Sequence, residues 1–343
     1  MTTIDSIRDA LLAAPHVRIA AGRTKPALSA PPEDATTLDL SPCRGITDYQ
    51  PGEFIITARA GTPLAEIDAA LAEHGQYLPF DPPFVAQGAT LGGTIAAGLS
   101  GSGRLRFGGL RDFIIGTTFL TGDGRLVHGG GKVVKNAAGF DFPKLLTGSC
   151  GRLGVILDAT FKVFPRPQEH LTASTHTGSL AAALDLAARL VRLPADLEAL
   201  DFDPDGRLSI RLAGDRGTLK PRLDRLARES GSSWTPDDTA AWPDGIAHRE
   251  GLGFVKVPVT PPRIPELDAA VAAIGVPRRY AVAGHLAWIA IGPGQASALD
   301  GALRACRLAG LSLHQPPSRL GLWPSPAAEL MVRHVFDPAG RLV

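Results

Sequence analysis

Glycine is unevenly distributed along this chain of 343 residues. Eighteen of its 39 glycines lie between Gly88 and Gly154, a window of 67 residues, whereas the other 276 residues contain only 21. A backbone without Cβ adopts positive φ angles easily and brings its N–H groups close to a ligand. Successive N–H groups of this kind bind anions, phosphate above all. The glycine distribution therefore predicts a domain that wraps its backbone around a large phosphate-bearing cofactor.

These glycines form three clusters, namely Gly88-Ala-Thr-Leu-Gly-Gly-Thr-Ile-Ala-Ala-Gly98, Lys135-Asn-Ala-Ala-Gly-Phe-Asp141 and Gly148-Ser-Cys-Gly-Arg-Leu-Gly154. The first leads into a predicted helix of small residues, whose N-terminal N–H groups and dipole favour phosphate. Each cluster alone is typical of tight turns and bulges, but the order and flanks of all three favour a cofactor site. The chain lacks a P-loop, because Gly129-Gly-Gly-Lys132 has no glycine at 126 and no hydroxyl at 133.

The composition excludes several classes of protein. Hydrophobic residues make up 44% of the chain and the formal net charge is +1, so no nucleic-acid or charged membrane partner is indicated. The apolar runs are too short for a transmembrane helix, and the N-terminus lacks the features of a secretory signal. Three widely spaced cysteines fit a cytoplasmic location and are fewer than the roughly four thiolates of an iron–sulfur cluster. The nine histidines show no metal-ligand spacing, so we expect no metal site.

The first half of the chain predicts a mixture of helices and strands. Apolar spacing predicts a helix over residues 3–14 with Ile4, Ile7 and Leu11 on one face, and another with Thr62 as its N-cap and Pro63 at its first position. Leu64, Ile67 and Leu71 share one face of that second helix. Further strands are predicted at 17–19, 36–40, 54–60 and 153–164, and a β-hairpin joins 113–121 to 125–128.

The second half alternates predicted strands and helices in two similar halves. Helices are predicted at 179–193, 219–229, 265–274 and 296–309, with strands at 198–203, 208–212, 253–259 and 281–291. A final helix at 331–336 is predicted to pack on the first domain. The sequence thus predicts an α+β chain of three parts, residues 1–167, a smaller α+β cap domain over 168–322, and a C-terminal segment over 323–343.

Five sequence blocks, in this order, resemble the FAD-binding family of the vanillyl-alcohol oxidase (PCMH) type. They are Gly22-Arg-Thr-Lys25, Gly88-Ala-Thr-Leu-Gly-Gly-Thr94, Arg111-Asp112, Lys135-Asn-Ala-Ala-Gly-Phe-Asp141 and Gly148-Ser-Cys-Gly-Arg-Leu-Gly-Val-Ile156. The greatest similarity is to the small FAD-binding subunits of bacterial glycolate oxidases. This resemblance implies an FAD-binding domain of two α/β subdomains, followed by a cap domain with ferredoxin-like character.

The resemblance also implies which residues hold FAD. Backbone N–H groups of residues 21–25 and 88–94 would cradle the pyrophosphate: Ala21, Gly22, Arg23, Thr24, Lys25, Gly88, Ala89, Thr90, Leu91, Gly92, Gly93 and Thr94. Gly98, just beyond them, is also expected to bind the cofactor. The third glycine cluster would hold the adenine side and line the ring, and the second would pass near the flavin: Lys135, Asn136, Gly139, Asp141, Gly148, Gly151, Gly154, Val155 and Ile156. The first loop has no histidine for covalent attachment, so FAD is expected to be non-covalent. Phe140 and Cys150 depart from the family pattern and are assigned no chemistry.

Catalysis by this chain alone is a separate question. Oxidation of a 2-hydroxy acid by a flavin needs a base near the flavin. The large catalytic subunits of the family carry a His-x-Gly-Asp-Gly-Asn segment for this purpose, and this chain has none, so no catalytic residue is assigned. The resemblance implies an accessory, electron-relay subunit of a complex that oxidises glycolate to glyoxylate, with a larger catalytic flavin subunit and an iron–sulfur subunit as partners. It would be cytoplasmic, or peripheral to the inner membrane through those partners.

Two alternatives remain open from the sequence. A self-sufficient FAD-dependent 2-hydroxy-acid dehydrogenase, acting on D-lactate or glycolate, would need a base in the cap domain, and His285 in the predicted strand 281–291 is the nearest candidate. A lone histidine in an apolar strand is more often structural. The other alternative is a scaffold protein whose flavin site has lost its function.

Overall fold

The computed structural model describes residues 3–29, 33–131, 140–237, 251–324 and 326–343. Within these ranges the α-helices, in chain order, are α1 Ile4–Leu12, α2 Leu64–Glu73, α3 Leu91–Ala97, α4 Arg104–Phe107, α5 Leu110–Phe113, α6 Phe142–Leu146, α7 Leu180–Leu190, α8 Leu219–Ser230, α9 Ile264–Ala272, α10 Ala296–Ala305 and α11 Pro326–Phe336. The longest described helix, α8, has 12 residues. None of the helices in these ranges has the length and apolar character needed to cross a membrane.

Four sheets are formed by the strands, whose bounds, in chain order, are β1 Val17–Ala20, β2 Thr36–Asp39, β3 Ile46–Gln50, β4 Ile55–Arg59, β5 Gln76–Tyr77, β6 Ile114–Leu120, β7 Leu126–Gly130, β8 Val155–Lys162, β9 Phe164–Pro165, β10 Glu169–His176, β11 Ala199–Phe202, β12 Arg207–Gly214, β13 Thr235–Pro236, β14 Gly253–Pro258, β15 Arg278–Ala281, β16 Leu286–Ile291, β17 Ala309–Ser312 and β18 Arg319–Gly321. Helices and strands share both halves of the chain, so the predicted α+β class is confirmed.

The chain divides into two compact units. The first consists of residues 1–100, 109–166 and 324–343, and the second of residues 101–108 and 167–323. Residues 101–108, which the sequence places within the first predicted domain, therefore cluster with the second unit.

The first unit contains a two-stranded parallel sheet, β1–β2, and an antiparallel sheet in the order β3-β4-β8-β6-β7. The predicted hairpin is present, with β6 paired to β7 from Gly116 opposite Gly130 to Leu120 opposite Leu126. In α2 the predicted apolar face is buried, because Leu64, Ile67 and Leu71 are each no more than 1% exposed. This unit also includes α11, whose Phe336 carbonyl accepts a hydrogen bond from the Gly122 N–H.

Two local predictions for the first unit are wrong. Helix α2 begins one residue later than predicted, with Pro63 as its N-cap, because the Thr62 hydroxyl accepts a hydrogen bond from the Gly45 N–H at 2.9 Å. In α1 the side chains of Ile7 and Leu11 are buried, but Ile4 is 40% exposed. Ile4 is the first residue of that helix, so its side chain extends beyond the end of the apolar face.

The second unit is built from two halves of the same topology. Each half follows the order β-α-β-β-α-β, from β10 through α7 and α8 to β13 and from β14 through α9 and α10 to β17. Their strands join in one sheet in the order β13-β10-β12-β11-β15-β16-β14-β17-β18. This pattern is that of a ferredoxin-like unit repeated side by side. A single bridge, Phe202 opposite Tyr280, joins the two halves of the sheet.

Candidate FAD site

A cleft in the first unit gathers most of the predicted phosphate loop. Its cavity volume is about 170 Å³. The cleft lies where the parallel strands β1 and β2 end, which is the edge at which α/β sheets bind ligands. Of the residues predicted from the sequence, the following line it: Ala21, Gly22, Arg23, Thr24, Lys25, Thr90, Gly92, Gly93, Gly151, Gly154 and Ile156.

The loop after β1 presents hydrogen-bond donors to this cleft. In the described part of the chain, the amide N–H groups of Gly22, Arg23, Thr24 and Lys25 donate to no other group. Arg23 has a φ of +51°, so the backbone turns sharply within the loop. Consecutive free N–H groups in such a turn form a concave anion site. The loop is therefore a cradle suited to the oxygens of a phosphate.

The N-terminus of α3 contributes differently from what the sequence suggests. Its first amide groups are used within the protein, since Leu91 N–H donates to the Thr62 carbonyl at 2.9 Å and Gly92 N–H to the Ala60 carbonyl at 2.7 Å. Gly93 N–H points to the Thr90 hydroxyl at 3.4 Å. The helix therefore lines the cleft with its surface, while the loop after β1 supplies the unused donors.

Close backbone packing shapes the cleft. A Cβ added to Gly22 would lie 2.2 Å from the Gly88 carbonyl oxygen, so only glycine fits there. A Cβ added to Gly92 would lie 2.7 Å from the Ala60 Cβ, toward β4. At Gly93 only the Thr90 hydroxyl would be near a new Cβ, at 3.2 Å, so a side chain there has open space. Gly22 and Gly92 thus allow the walls to pack closely, and Gly93 leaves the cavity free of a side chain.

Lys25 is the most unusual side chain of the cleft. It is only 9% exposed, and its Nζ donates to the Thr24 hydroxyl at 2.7 Å and lies 5.6 Å from the centre of the Phe84 ring. Burial lowers the pKa of its ammonium group to about 8, and no charged partner contributes to that shift. The other cations are Arg23, which pairs with Asp39 at 3.7 Å, and Arg18, which donates to the Thr37 hydroxyl at 2.9 Å.

Several predicted residues lie outside the cleft lining. Gly88 packs against Gly22 through its carbonyl oxygen. Gly98 and Gly148 also pack against each other, and a Cβ added to Gly98 would lie 3.0 Å from the Gly148 Cα. Asp141 accepts a hydrogen bond from the Lys144 N–H and thereby caps α6. The remaining ones are Ala89, Leu91, Thr94 and Val155, which are all buried. Lys135, Asn136 and Gly139 lie outside the residues that the structure describes.

The cleft also includes residues that were not predicted from the sequence to bind the cofactor, namely Arg18, Ile19, Ala20, Pro26, Leu28, Ser29, Leu40, Ala60, Ala96, Ala97 and Cys150. Most of them come from the ends of β1, β2 and β4 and from the C-terminal end of α3. The residues at the strand ends could have been predicted from their position at the carboxyl ends of parallel strands, where such sheets bind ligands. For Ala96, the spacing of four residues from Gly92 on the same helix face was the corresponding signal.

The cleft holds donors and cations but few groups for acid–base chemistry. Among the described residues that line it, the ionisable side chains are Arg18, Arg23, Lys25 and Cys150, with no carboxylate and no histidine. In the same described ranges no group of three or more His, Cys, Asp or Glu side chains could hold a metal ion. The donor set therefore fits an anionic cofactor such as FAD, whose diphosphate needs N–H donors and positive charge.

The alternative base, His285, lies in the second unit and not in a strand. The predicted strand 281–291 is interrupted after β15 because Val282, Ala283 and Gly284 have φ values of +57°, +53° and +87°. His285 follows this turn and is exposed. Positive φ at a β-branched residue is strained, and the turn is held by a hydrogen bond from the Val282 N–H to Asp201 at 3.1 Å.

Asp201 is the buried acid of that unit, only 4% exposed. It accepts hydrogen bonds from the Ser102 hydroxyl at 2.7 Å and from the Val282 N–H, and its carboxylate lies 3.5 Å from Arg279. Burial raises the pKa of this carboxyl group, while Arg279 opposes the rise. These contacts hold the strained turn in place and leave Asp201 enclosed, so it is a structural group of the second unit.

Comparison with known proteins agrees with the character of the cleft. Residues 1–130 match the model of a family described as FAD binding domain. The chain is 42% identical over 205 residues to the glycolate oxidase subunit GlcE of Escherichia coli (strain K12), covering 59% of this chain and 58% of that protein. It is 33% identical over 144 residues to the D-lactate dehydrogenase of Archaeoglobus fulgidus, covering 41% of this chain and 32% of that enzyme.

A further relative is the glycolate oxidase subunit GlcD of Bacillus subtilis (strain 168), 28% identical over 174 residues, covering 50% of this chain and 37% of that protein. The matched part thus spans less than two thirds of each of these curated relatives. A solved structure of alkyldihydroxyacetonephosphate synthase has the same fold, with a TM-score of 0.73 at 14% identity over 98% of this chain and 73% of that one. Residues 1–130 are therefore similar to the FAD binding domain family, and FAD is the cofactor that this similarity indicates for the domain.

Proposed function

We propose that this chain is the FAD-binding subunit of a glycolate oxidase (glycolate dehydrogenase) complex, which oxidises glycolate to glyoxylate. The observation that carries the proposal is the cleft itself, which offers phosphate donors and positive charge but no carboxylate or histidine among its described residues. The 42% identity to a glycolate oxidase subunit over 205 residues supports the assignment of the substrate.

FAD, when bound, accepts the electron pair that an alcohol loses on becoming a carbonyl. The residues of this chain would bind and orient the cofactor non-covalently, since the loop 21–25 contains no histidine. The diphosphate would lie on the N–H groups of Gly22 to Lys25, with Thr90, Gly92 and Gly93 as the opposite wall and Gly151, Gly154 and Ile156 at the base. Close walls of glycine and alanine would exclude water from the buried part of the cofactor.

Removal of the hydroxyl proton of glycolate requires a base within hydrogen-bond reach. The described cleft has no residue suited to that task, so we assign the base to a larger flavin subunit of the same complex. Electrons would leave through an iron–sulfur subunit. The three cysteines of this chain are fewer than the roughly four thiolates that a cluster needs, so the cluster would be bound by that partner. We place this complex in the cytoplasm, with contact to the inner membrane only through the partner subunits. The FAD of this chain would relay electrons within the complex.

A second candidate function is a self-sufficient FAD-dependent dehydrogenase of 2-hydroxy acids. The similarity to a D-lactate dehydrogenase over 144 residues favours it. Its base would have to come from the second unit, where His285 is exposed and Asp201 is enclosed by structural contacts.

The two functions are separated by purification from the native host with an affinity tag on this chain. A complex would bring down a larger flavoprotein and an iron–sulfur protein, and glycolate would reduce a dye acceptor only with all three present. Glycolate-dependent dye reduction by the tagged chain alone, free of other proteins, would instead establish the self-sufficient dehydrogenase. Recovery of a colourless chain with intact partners would favour a scaffold.

A further inference from the structure

Lys25 is a buried cation without an anionic partner among the residues that the structure describes. Its side chain is 9% exposed and makes one hydrogen bond, to the neutral Thr24 hydroxyl. In the part of the chain that the structure describes, no carboxylate lies within ion-pair distance of its ammonium group. Buried charges in proteins are normally paired, because removal from water is costly. A bound anion in the cleft would supply the missing partner.

The surroundings of Lys25 define the chemistry of that molecule. Lys25 lines the cleft together with Arg18 and Arg23, and no described lining residue carries a negative charge. The free N–H groups of Gly22 to Lys25 add donors on the same loop. Phosphate oxygens combine the charge and the acceptors that these groups need. In FAD the diphosphate is the only anionic part, while the flavin ring and the adenosine are neutral.

We propose that the Lys25 ammonium group is the counter-charge of the FAD diphosphate, and that it makes the chain select flavins that carry a diphosphate. This inference rests on the placement of FAD in the cleft. It assigns to the Lys25 side chain a role separate from that of the loop backbone. It also explains why a lysine occupies a buried position where any residue could supply the backbone N–H.

The test compares three ligands on the apo-protein: FAD, ADP and riboflavin. ADP carries the diphosphate without a flavin, and riboflavin carries the flavin without a phosphate. Lys25→Met keeps the length of the side chain and removes its charge. We expect the dissociation constants of FAD and of ADP to rise together by about 10- to 100-fold, the usual value of a charge-assisted hydrogen bond. Binding of riboflavin should change by less than about twofold.

Thermal unfolding of the apo-protein distinguishes a ligand-binding lysine from a structural one, because loss of a structural lysine would lower the unfolding temperature. Because Lys25→Met removes an unpaired buried charge, the apo variant should unfold at a higher temperature than the apo wild type. Lys25→Arg keeps the positive charge and should retain more affinity for ADP than Lys25→Met. As a matched control, Arg44→Met removes an exposed cation of the first unit that pairs with Glu66 at 2.7 Å and does not line the cleft, and it should change FAD affinity by less than about threefold.

The proposal is overturned if Lys25→Met binds FAD and ADP as tightly as wild type, or weakens riboflavin by the same factor as FAD. A less stable apo Lys25→Met would equally overturn it, because it would assign the lysine to the fold. Gly93→Leu distinguishes a wrong role for Lys25 from a wrong placement of FAD in the cleft, since the new side chain would enter the cleft. If Gly93→Leu abolishes FAD binding while Lys25→Met does not, only the Lys25 role fails. If Gly93→Leu retains FAD, the placement of the cofactor and the Lys25 role both fail.

Discussion

Three buried polar groups of the first unit lack a contact that they need among the described residues. Lys25 has no anion, and the enclosed hydroxyl oxygens of Thr94 and Ser149 have no hydrogen-bond partner. Each unsatisfied group costs about 1–3 kcal/mol of folding free energy. A ligand that supplies the missing contacts stabilises the folded state through its binding free energy. At the scale of single residues, part of the binding free energy of the ligand would therefore come from contacts that these groups lack in the apo-protein.

The titration of Lys25 predicts how FAD binding depends on pH. Burial lowers the pKa of the free ammonium group to about 8. A neighbouring diphosphate favours the charged form and raises that pKa in the complex, so binding requires a proton once the pH exceeds about 8. Affinity should be constant below about pH 8 and fall above it by up to about tenfold per pH unit. Flavin fluorescence titrations from about pH 6.5 to 9.5 would measure this.

Other ionisable groups at the cleft provide the controls for this prediction. They are Arg18, Arg23, the Asp39 carboxylate that pairs with Arg23, and the Cys150 thiol. Cys150→Ser should leave the fall in affinity unchanged, and Lys25→Met should remove it. A fall of the same size in Lys25→Met would show that another group is responsible.

At the scale of elements, the glycine clusters serve packing as well as ligand binding. Helix α3 packs directly against the loop of the third glycine cluster. The Gly148 N–H donates to the Ile95 carbonyl at 2.9 Å, and the Cys150 N–H donates to the Ala96 carbonyl at 2.8 Å. Gly98 ends α3 in the left-handed conformation and touches Gly148. Such close contact between backbones brings two walls of the cleft together, and a side chain would separate them.

A matched pair of substitutions tests this packing. Gly98 and Gly75 follow helices with nearly equal φ values, +60° and +62°, but a Cβ would meet Gly148 only at Gly98 and nothing at Gly75. Gly75→Ala should lower the free energy of unfolding by about 1 kcal/mol through backbone strain alone. Gly98→Ala should cost at least about 1 kcal/mol more, because the neighbouring backbone must move. Urea unfolding of both variants measures the difference, and equal losses would exclude the contact as a source of stability.

The elements that sequence patterns predicted well are those with local signals. Leu64, Ile67 and Leu71 at helical spacing correctly indicated the buried face of α2, and the glycines at 122 and 124 indicated the turn between β6 and β7. The break at Val282–Gly284 was missed, because a β-branched residue such as Val282 favours strands, and its positive φ is accompanied by a tertiary hydrogen bond to Asp201 that has no local signal. Local preference was overridden there by packing.

In the cleft, too, residues with a local sequence signal were predicted and residues placed by tertiary contacts were missed. Glycine clusters and the loop after β1 have recognisable sequences, and the cleft gathers residues 21–25 with Gly92, Gly93, Gly151 and Gly154. Leu40 and Ala60 carry no sequence signal for a ligand, since they reach the cleft only because their strands end beside it. Likewise nothing local indicated that Gly148 would face Gly98 and not the cavity.

At the scale of the whole molecule, the first unit is assembled from separate stretches of chain, and its C-terminal stretch lies against its N-terminal strand. Val17 N–H donates to the Arg341 carbonyl at 2.7 Å, and Leu342 forms a parallel bridge with Val17. Because β1 leads directly into the phosphate loop, these contacts support the strand from which that loop starts. The buried Asp337 organises the stretch by accepting hydrogen bonds from Arg341 N–H at 2.9 Å and Leu342 N–H at 2.7 Å.

Replacing Asp337 tests this closure of the first unit. Asp337→Asn presents an amide donor to one of the two N–H groups, so it should lower the free energy of unfolding by about 1–3 kcal/mol. Asp9→Asn, an exposed acid on α1, should stay within about 0.5 kcal/mol of wild type. Denaturant unfolding followed by circular dichroism would measure both. Equal stability of the two variants would contradict the role of Asp337 in anchoring the C-terminal stretch.

We propose, above all, that this chain binds FAD but relies on partner subunits to oxidise glycolate. The most direct test is the anaerobic visible spectrum of the purified chain while glycolate is added, followed by the partner subunits. We predict a bound-flavin band that stays oxidised with glycolate alone and bleaches once the larger flavin subunit is present. Bleaching by glycolate before any partner is added would contradict the account, because the chain would then contain its own catalytic base.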